Sequence, residues 1–375
     1  MSSNLRKCMI ICAILVFSCF SCVDVKADSK KIGNFRYTYT EYKSSKIWIT
    51  GIEPVQGKDV SVLRIPSMID GKKVVKLGNL SDNKINDSVD VRNLFGLCYN
   101  DDAEGQEGQL VLFPKTRAEK VAKIKKIVIP KSVTKITPAC FANMQEGKSI
   151  DIPKGITKNV KQICETKWKK VRISKLNPKF KIRNGLLLSK NGKVVYGIAS
   201  STEKVMVPKG VKKIEGASLL FSNITAIDIP DSVKKINFSS GYYRTDNIVK
   251  VLVSKKNKYY AVAGNSLYSK KTGRLLVATA ESSVFTIPNG VTCVKQTFFA
   301  GKEVNRIIIP SSVKKIDTCW GADRENLTLV FKSKTPPIIE DTFVFGVTIH
   351  VPKGCKTAYR KATQEAYGEV KIYEM

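Results

Sequence analysis

Isoleucine and valine recur along the chain in one frame, apolar-x-x-I-x-I-P-x-x-V-x-x-I, as in ITAIDIPDSVKKI (224–236) and VNRIIIPSSVKKI (304–316). Ile227 and Ile229 alternate as a strand with one buried face does. Pro230 has no N–H for a ladder and ends that strand. The two positions after it require the chain to turn a corner before Val233 and Ile236 can point inward. Phenylalanine follows the frame at Phe141, Phe221 and Phe299, where it is expected to plug the coil. No unit of this kind buries its apolar side alone, so neighbouring coils are expected to stack into a solenoid. The tetrapeptide VKKI, present at 211–214, 233–236 and 313–316, then places two lysines between inward wedges. That position argues against a basic helix.

The (I/V)-P dipeptide appears at Pro66, Pro130, Pro153, Pro208, Pro230, Pro288, Pro310 and Pro352. The intervals are 64, 23, 55, 22, 58, 22 and 42 residues, a unit of 22 or 23 interrupted by inserts. A longer period of 80 relates Pro208 to Pro288 and Pro230 to Pro310. The inserts repeat as well: the segment from Asn177 parallels that from Asn257. Each has two apolar runs flanking a turn, Lys190-Asn191-Gly192 in one and Lys271-Thr272-Gly273 in the other. Each insert reads as a β-hairpin standing off the main stack.

These residues resemble the BspA-like bacterial surface leucine-rich repeats. The I-P-x-x-V-x-x-I…F frame carries the resemblance, with the N-terminal FRYTYTEY…VLRIPSMIDGKKVVKLG (35–78) and the terminal LVFKSKTPPIIEDTFVFGVTIHVPKGCKTAYRKA. It covers roughly residues 33–375. It implies an extracellular α/β leucine-rich-repeat solenoid, strand-dominated, with inserted β-hairpins and a short C-terminal capping helix, in a family associated with surface recognition and adhesion. The expected organisation is a signal peptide (1–27), an N-terminal hairpin and first repeat (28–78), an irregular acidic insertion (79–111), the repeat solenoid (112–345) and a C-terminal cap (346–375). Lys356–Tyr367 spaces Ala358, Tyr359, Ala362, Ala366 and Tyr367 as a short amphipathic helix over the open end, with a partner-binding helix as the other reading.

Charge changes the picture. The chain of 375 residues has 64 Lys+Arg against 32 Asp+Glu, a formal net charge of +32, and only 12 of the basic residues are arginine. Lysine is a hydrated point charge without the planar fork that reads bases and phosphates, so diffuse attraction to a polyanion is favoured over nucleic-acid readout. The first 27 residues read as a secretory leader: Arg6 and Lys7, an apolar run from Cys8 to Val23, and cleavage after Ala27. Cys19 and Cys22 partly match a lipoprotein box and offer anchoring as the alternative. The expected location is therefore secreted or cell-surface, for a monomer with no transmembrane span and no nucleic-acid partner. From Ser81 to Gly108 the insertion has seven acidic residues against Lys84 and Arg92. It reads as a solvated loop, with a calcium site or partner loop as the lesser alternative, because the D-x-D-x-D-G series is missing.

Little in the chain suggests catalysis. The one histidine, His350, occupies an outward slot of an expected strand, and triads built on serine or cysteine need a nearby base. No zinc cluster or phosphate-binding glycine motif is present in context. The expectation is no enzyme, no cofactor and no metal. The six cysteines beyond the leader read as buried apolar fillers, with Cys140–Cys164 and Cys293–Cys319 as the pairs that stacking could bridge. The candidate anion-binding residues are Lys212, Lys213, Lys234, Lys235, Lys314 and Lys315, with Lys125, Lys126 and Lys135 as an extension. In stacked coils equivalent residues lie about 4.8 Å apart, so these lysines can form ladders whose mutual repulsion a bound anion relieves. An extracellular protein or an acidic glycan or cell-wall polymer would be the partner. A merely soluble lysine coat, or a structural envelope protein held on anionic polymers by its charge, is the alternative.

Overall fold

One hydrogen bond recurs at the proline corners from Pro130 onward. The amide of Val133 donates to the Pro130 carbonyl at 3.1 Å, and the same bond joins Val211 to Pro208, Val233 to Pro230, Val291 to Pro288 and Val313 to Pro310. This closes a four-residue turn in which proline supplies the acceptor and its missing donor is not needed. Where the third turn residue is Gly210 or Gly290, φ is +93° or +94°, a backbone that suits glycine. The computed structural model describes residues 28–43, 45–78, 124–137, 140–141, 147–165, 168–215, 224–237, 244–245, 250–301, 303–317, 327–340, 347–367 and 370–375. The leader 1–27, the insertion 79–111, Phe221 and Cys319 lie outside them.

Each corner joins two short strands that stack on different sides of the coil. Lys204–Met206 and Ala226–Ile229, which lead into prolines, and Lys250–Val253, which leads into Ser254, pair in parallel, with Val205, Ile227 and Val251 in register. After the corner, Lys213–Glu215 and Lys235–Asn237 pair in parallel, with Ile214 against Ile236. The inward Val211, Ile214, Ile227, Ile229, Val233 and Ile236 are all buried. Full burial of such a side chain contributes about 1.5–3 kcal/mol. Phe141 is buried in the N-terminal core, as the plug position requires, edge-on to Trp168, and Cys140 and Cys164 are free thiols of the same core.

The hairpins do not stand off the stack; they are built into it. Strands Phe180–Arg183, Leu186–Ser189 and Val194–Ile198 run antiparallel, and the last then pairs in parallel with Lys213–Glu215. The second hairpin does the same: Arg274–Ala280 pairs in parallel with Cys293–Gly301. At the N-terminus, Lys46–Pro54 pairs antiparallel with Phe35–Tyr42 and parallel with Lys72–Leu77. The physical reason lies in side chains that are apolar on both faces of these strands. Leu187 packs into the N-terminal core, whereas Leu186 and Leu188 pack into the middle one. Leu276 and Val277 face the middle core, whereas Leu275 and Ala278 face the C-terminal one. Each hairpin is thus a wall between two cores.

A buried asparagine hinges each wall to the preceding coil. Asn177 Oδ1 accepts from the amides of Lys179 and Phe180 at 3.0 Å each, and its Nδ2 donates to the Ile156 carbonyl at 2.8 Å. Asn257 repeats this with the amides of Tyr259 and Tyr260 and the carbonyls of Pro230 and Val233. Replacing Asn177 with Ala strands these backbone groups in the core, and we expect a loss of about 3 kcal/mol. Urea unfolding checks this; Asn191→Ala, which removes two solvent-exposed turn bonds from Ser189 and Lys193, should shift the midpoint far less.

The C-terminal helix occupies Lys356–Tyr367, as its spacing predicts. Tyr359 is buried against Phe331, with ring centroids 4.9 Å apart, and its hydroxyl donates to the Ser333 carbonyl at 2.8 Å. The last strand, Lys371–Glu374, then pairs in parallel with Thr348–Val351 and continues the stack. The only other helix among the described residues is the six-residue Val160–Glu165, so strands dominate. Glu374 returns to the helix start, where its carboxylate accepts from the Lys356 amide at 3.0 Å. That bond, joined by the amides of Gly354 and Cys355, lowers the carboxyl below its usual range. A depressed folded value stabilises above the unfolded carboxylate range, and the gain is lost as pH falls through the folded value. Glu374→Gln should therefore lower Tm at neutral pH, and the gap to the parent should close in acid, as followed by circular dichroism.

Candidate anion-binding surface

The six candidate lysines fall on two separate ladders. Lys213 and Lys235 are register partners in adjacent parallel strands. Lys212 and Lys234 are neighbours too, the Lys234 amide donating to the Lys212 carbonyl at 2.9 Å. Lys314 and Lys315 belong to the next sheet, where Lys315 stands between Cys293 and Ile338. The wall strand Arg274–Ala280 starts that sheet anew, so no single lysine column crosses from Lys235 to Lys315. Stacking therefore brings together Lys212, Lys213, Lys234 and Lys235, and leaves the other two apart.

A second column tempers the first. Two residues after Lys213, Lys235 and Lys315, on the same face of the strand, come Glu215, Asn237 and Asp317, and Glu340 stands beside Asp317 in register. Glu215 pairs with Lys213 and, at 3.7 Å, with Lys161. Lys315 pairs with Glu340, and Lys295 with Asp317. Partial burial pushes the Glu215 carboxyl up, but the hydrogen bond from Lys213 and the charge of Lys161 outweigh it, and the net shift is downward. The hydrogen bond to Glu340 raises the Lys315 ammonium. Lys314 donates to the Ser311 carbonyl at 3.0 Å. Among the described residues Lys212, Lys234 and Lys235 enter no ion pair, and they form the uncompensated part of the ladder. The missing carboxylate at Asn237 was visible in the sequence, as the one uncharged member of that column.

Other cations are already engaged. Lys126 lies 3.7 Å from Asp151. Lys135 donates to the Tyr42 hydroxyl at 3.0 Å, in a cluster where Lys43, Lys76 and Lys135 surround the Tyr42 ring. Lys76 also sits 3.4 Å from the centroid of buried Trp48, whose indole donates to the Gly78 carbonyl. The hydrogen bond from Lys135, with the surrounding ammonium charges, holds the Tyr42 phenol below its ordinary value. Sequence patterning missed this cluster because its members come from three distant segments. His350 is half-buried and stacks on Tyr373 at 5.5 Å. No group of three His, Cys, Asp or Glu among the described residues has the arrangement of a metal site, and no described helix is long and apolar enough to cross a membrane.

Parallel two-sided coils stacked on apolar wedges, with function left to the outer residues, define a repeat solenoid. The chain belongs to the BspA type leucine rich repeat region family, whose profile matches in six copies over residues 118–249, 192–267 and 278–343. The chain is also similar to a leucine rich cell surface protein of Faecalibacterium prausnitzii A2-165, at 14% identity over 92% of this chain and 95% of that one, with a TM-score of 0.35. A leucine-rich repeat protein of Eubacterium ventriosum aligns at 15% identity over 93% and 85%, with a TM-score of 0.38. The pneumococcal vaccine antigen PcpA aligns at 12% over 93% and 99%, with a TM-score of 0.30. The family assignment rests on the repeats. No curated relative matches the chain significantly.

Glu215→Gln removes the carboxylate shared by Lys161 and Lys213. If this face binds anions, the variant should elute from a heparin column at higher salt than the parent, by more than the one-unit change in net charge produces at the exposed control site Glu281→Gln.

Proposed function

We propose that this chain is an exported, non-catalytic recognition protein that binds an acidic macromolecular partner through the outer surface of its solenoid. The uncompensated stack of Lys212, Lys234 and Lys235 carries the reading. Ammonium groups held in neighbouring coils repel one another, and an anionic chain running across the coils relieves that repulsion while releasing its own counterions. Export follows from the leader in residues 1–27, with release after Ala27 or anchoring at Cys19 or Cys22 as the two forms. The partner is an extracellular protein, an acidic glycan or a cell-wall polymer.

A second reading draws on the carboxylate column. Glu215, Asp317 and Glu340 neutralise Lys213, Lys295 and Lys315, and such a surface suits a structural envelope protein held by overall charge. Retention on immobilised heparin and teichoic acid, measured against salt, separates the two. Recognition predicts that the triple variant Lys212→Ser, Lys234→Ser, Lys235→Ser elutes much earlier than a variant with three lysines removed elsewhere. Changing Lys314 and Lys315 to Ser should cost less. Equal losses for all lysine sets would leave charge retention as the function and remove the recognition face.

A further inference from the structure

A groove of about 370 Å³ lies between the strand Lys170–Ile173 and the first strand of the middle hairpin, Phe180–Arg183. Its floor is apolar, from Val171, Ile173, Phe180 and Ile182. Five cations line it: Lys170, Arg172, Lys175, Lys181 and Lys190. Among the described residues no carboxylate does. Asp151 pairs with Arg172 and Lys126 but is not part of the lining. Leu176, the most exposed large apolar side chain of the described residues at 74%, sits in the loop joining the two strands.

The 80-residue period supplies an internal control. The second junction has strands Lys250–Val253 and Tyr260–Ala263 at the same spacing and the same asparagine hinge. Lys190 donates to the Lys175 carbonyl at 2.8 Å, and its counterpart Lys270 donates to the Asn257 carbonyl at 2.7 Å. These lysines, with Lys170 and Lys175, recur as Lys250, Lys255 and Lys270, so they belong to the scaffold. Arg172, Lys181 and Leu176 do not recur. Leu252, Ala261 and Lys256 take their places. Asp228, in register with Leu252 as Asp151 is with Arg172, does without an arginine there, so folding does not demand one. Edge strands often carry lysine to deter pairing, but the equivalent edge, YAVA at 260–263, carries none.

We propose that this groove binds an extended acidic peptide segment of a partner protein, with apolar side chains on the floor and carboxylates against Arg172 and Lys181. The hairpin strand Phe180–Arg183 is terminal in its sheet, so its outer edge offers backbone groups to an added strand. The alternation of a strand separates acidic from apolar side chains, as the floor and rim of the groove are separated. The groove is lined by none of the stacked lysines and does not rest on them.

The test exchanges the two junctions. A fluorescein-labelled heptapeptide, Glu-Leu-Glu-Val-Glu-Leu-Glu, is titrated with the full chain and followed by anisotropy. One site is expected, and R172L/K181A should weaken it at least about tenfold. Since the second junction already folds with Leu and Ala at these positions, the variant keeps its fold, which circular dichroism verifies. The converse L252R/A261K should add a second site of similar affinity. The triple Lys→Ser variant of the stack should bind the peptide normally, which separates this inference from the surface reading. Unchanged affinity in R172L/K181A overturns the proposal, as does equal binding of a Gln-for-Glu peptide. A heparin hexasaccharide that loses affinity in R172L/K181A while the peptide does not would reassign the groove to glycan.

Discussion

The bond from an amide, most often valine, to a proline carbonyl three residues back sets the direction of the coils that carry the I-P frame. Proline ends one strand because it cannot donate, and its carbonyl starts the next by accepting. The turn leaves two positions outside and returns the chain with Val and Ile pointing inward. Everything else is built on that geometry. The parallel ladders need successive corners in register, and the wedges need the same corners to meet across the coil. The lysines are left where only solvent or a partner can reach them.

This geometry was legible in the sequence because each of its parts needs a particular residue type at a fixed distance. Proline must stop the strand, β-branched residues must fill the interior, and the 22-residue interval must repeat. The C-terminal helix was legible for the same reason, since Tyr359 and Ala362 mark one face. The hairpins show where sequence reading stops. Their turns were evident from Asn191-Gly192, but their place was not. A run such as Leu186, Leu187, Leu188 says that both faces are buried without saying between what. Only the division of those three leucines over two cores shows a wall rather than a projection.

Charge behaves differently, because opposite signs from separate coils meet only after folding. A count of +32 suggested a surface of free lysines. Stacking instead sets carboxylates beside some of the ladder lysines, and local pairing engages Lys213, Lys295 and Lys315. What remains uncompensated is set by single replacements: Asn237 where its register partner is Glu215, Arg172 and Lys181 where their repeats carry Leu and Ala. Departures from the repeat are thus more informative than the repeat. A scaffold position recurs, and a position released from the scaffold can be given to binding.

The walls have a mechanical consequence for a chain held at one end. Coils joined only to their neighbours peel away one at a time under tension, each giving up a few ladder bonds and its own wedges. At a hairpin that sequence halts. Leu186 and Leu188 cannot leave the middle core without the strand that carries Leu187 leaving the N-terminal one, so two compartments must open together. The hairpins therefore act as rip-stops, dividing a long seam into short lengths that tear only one at a time.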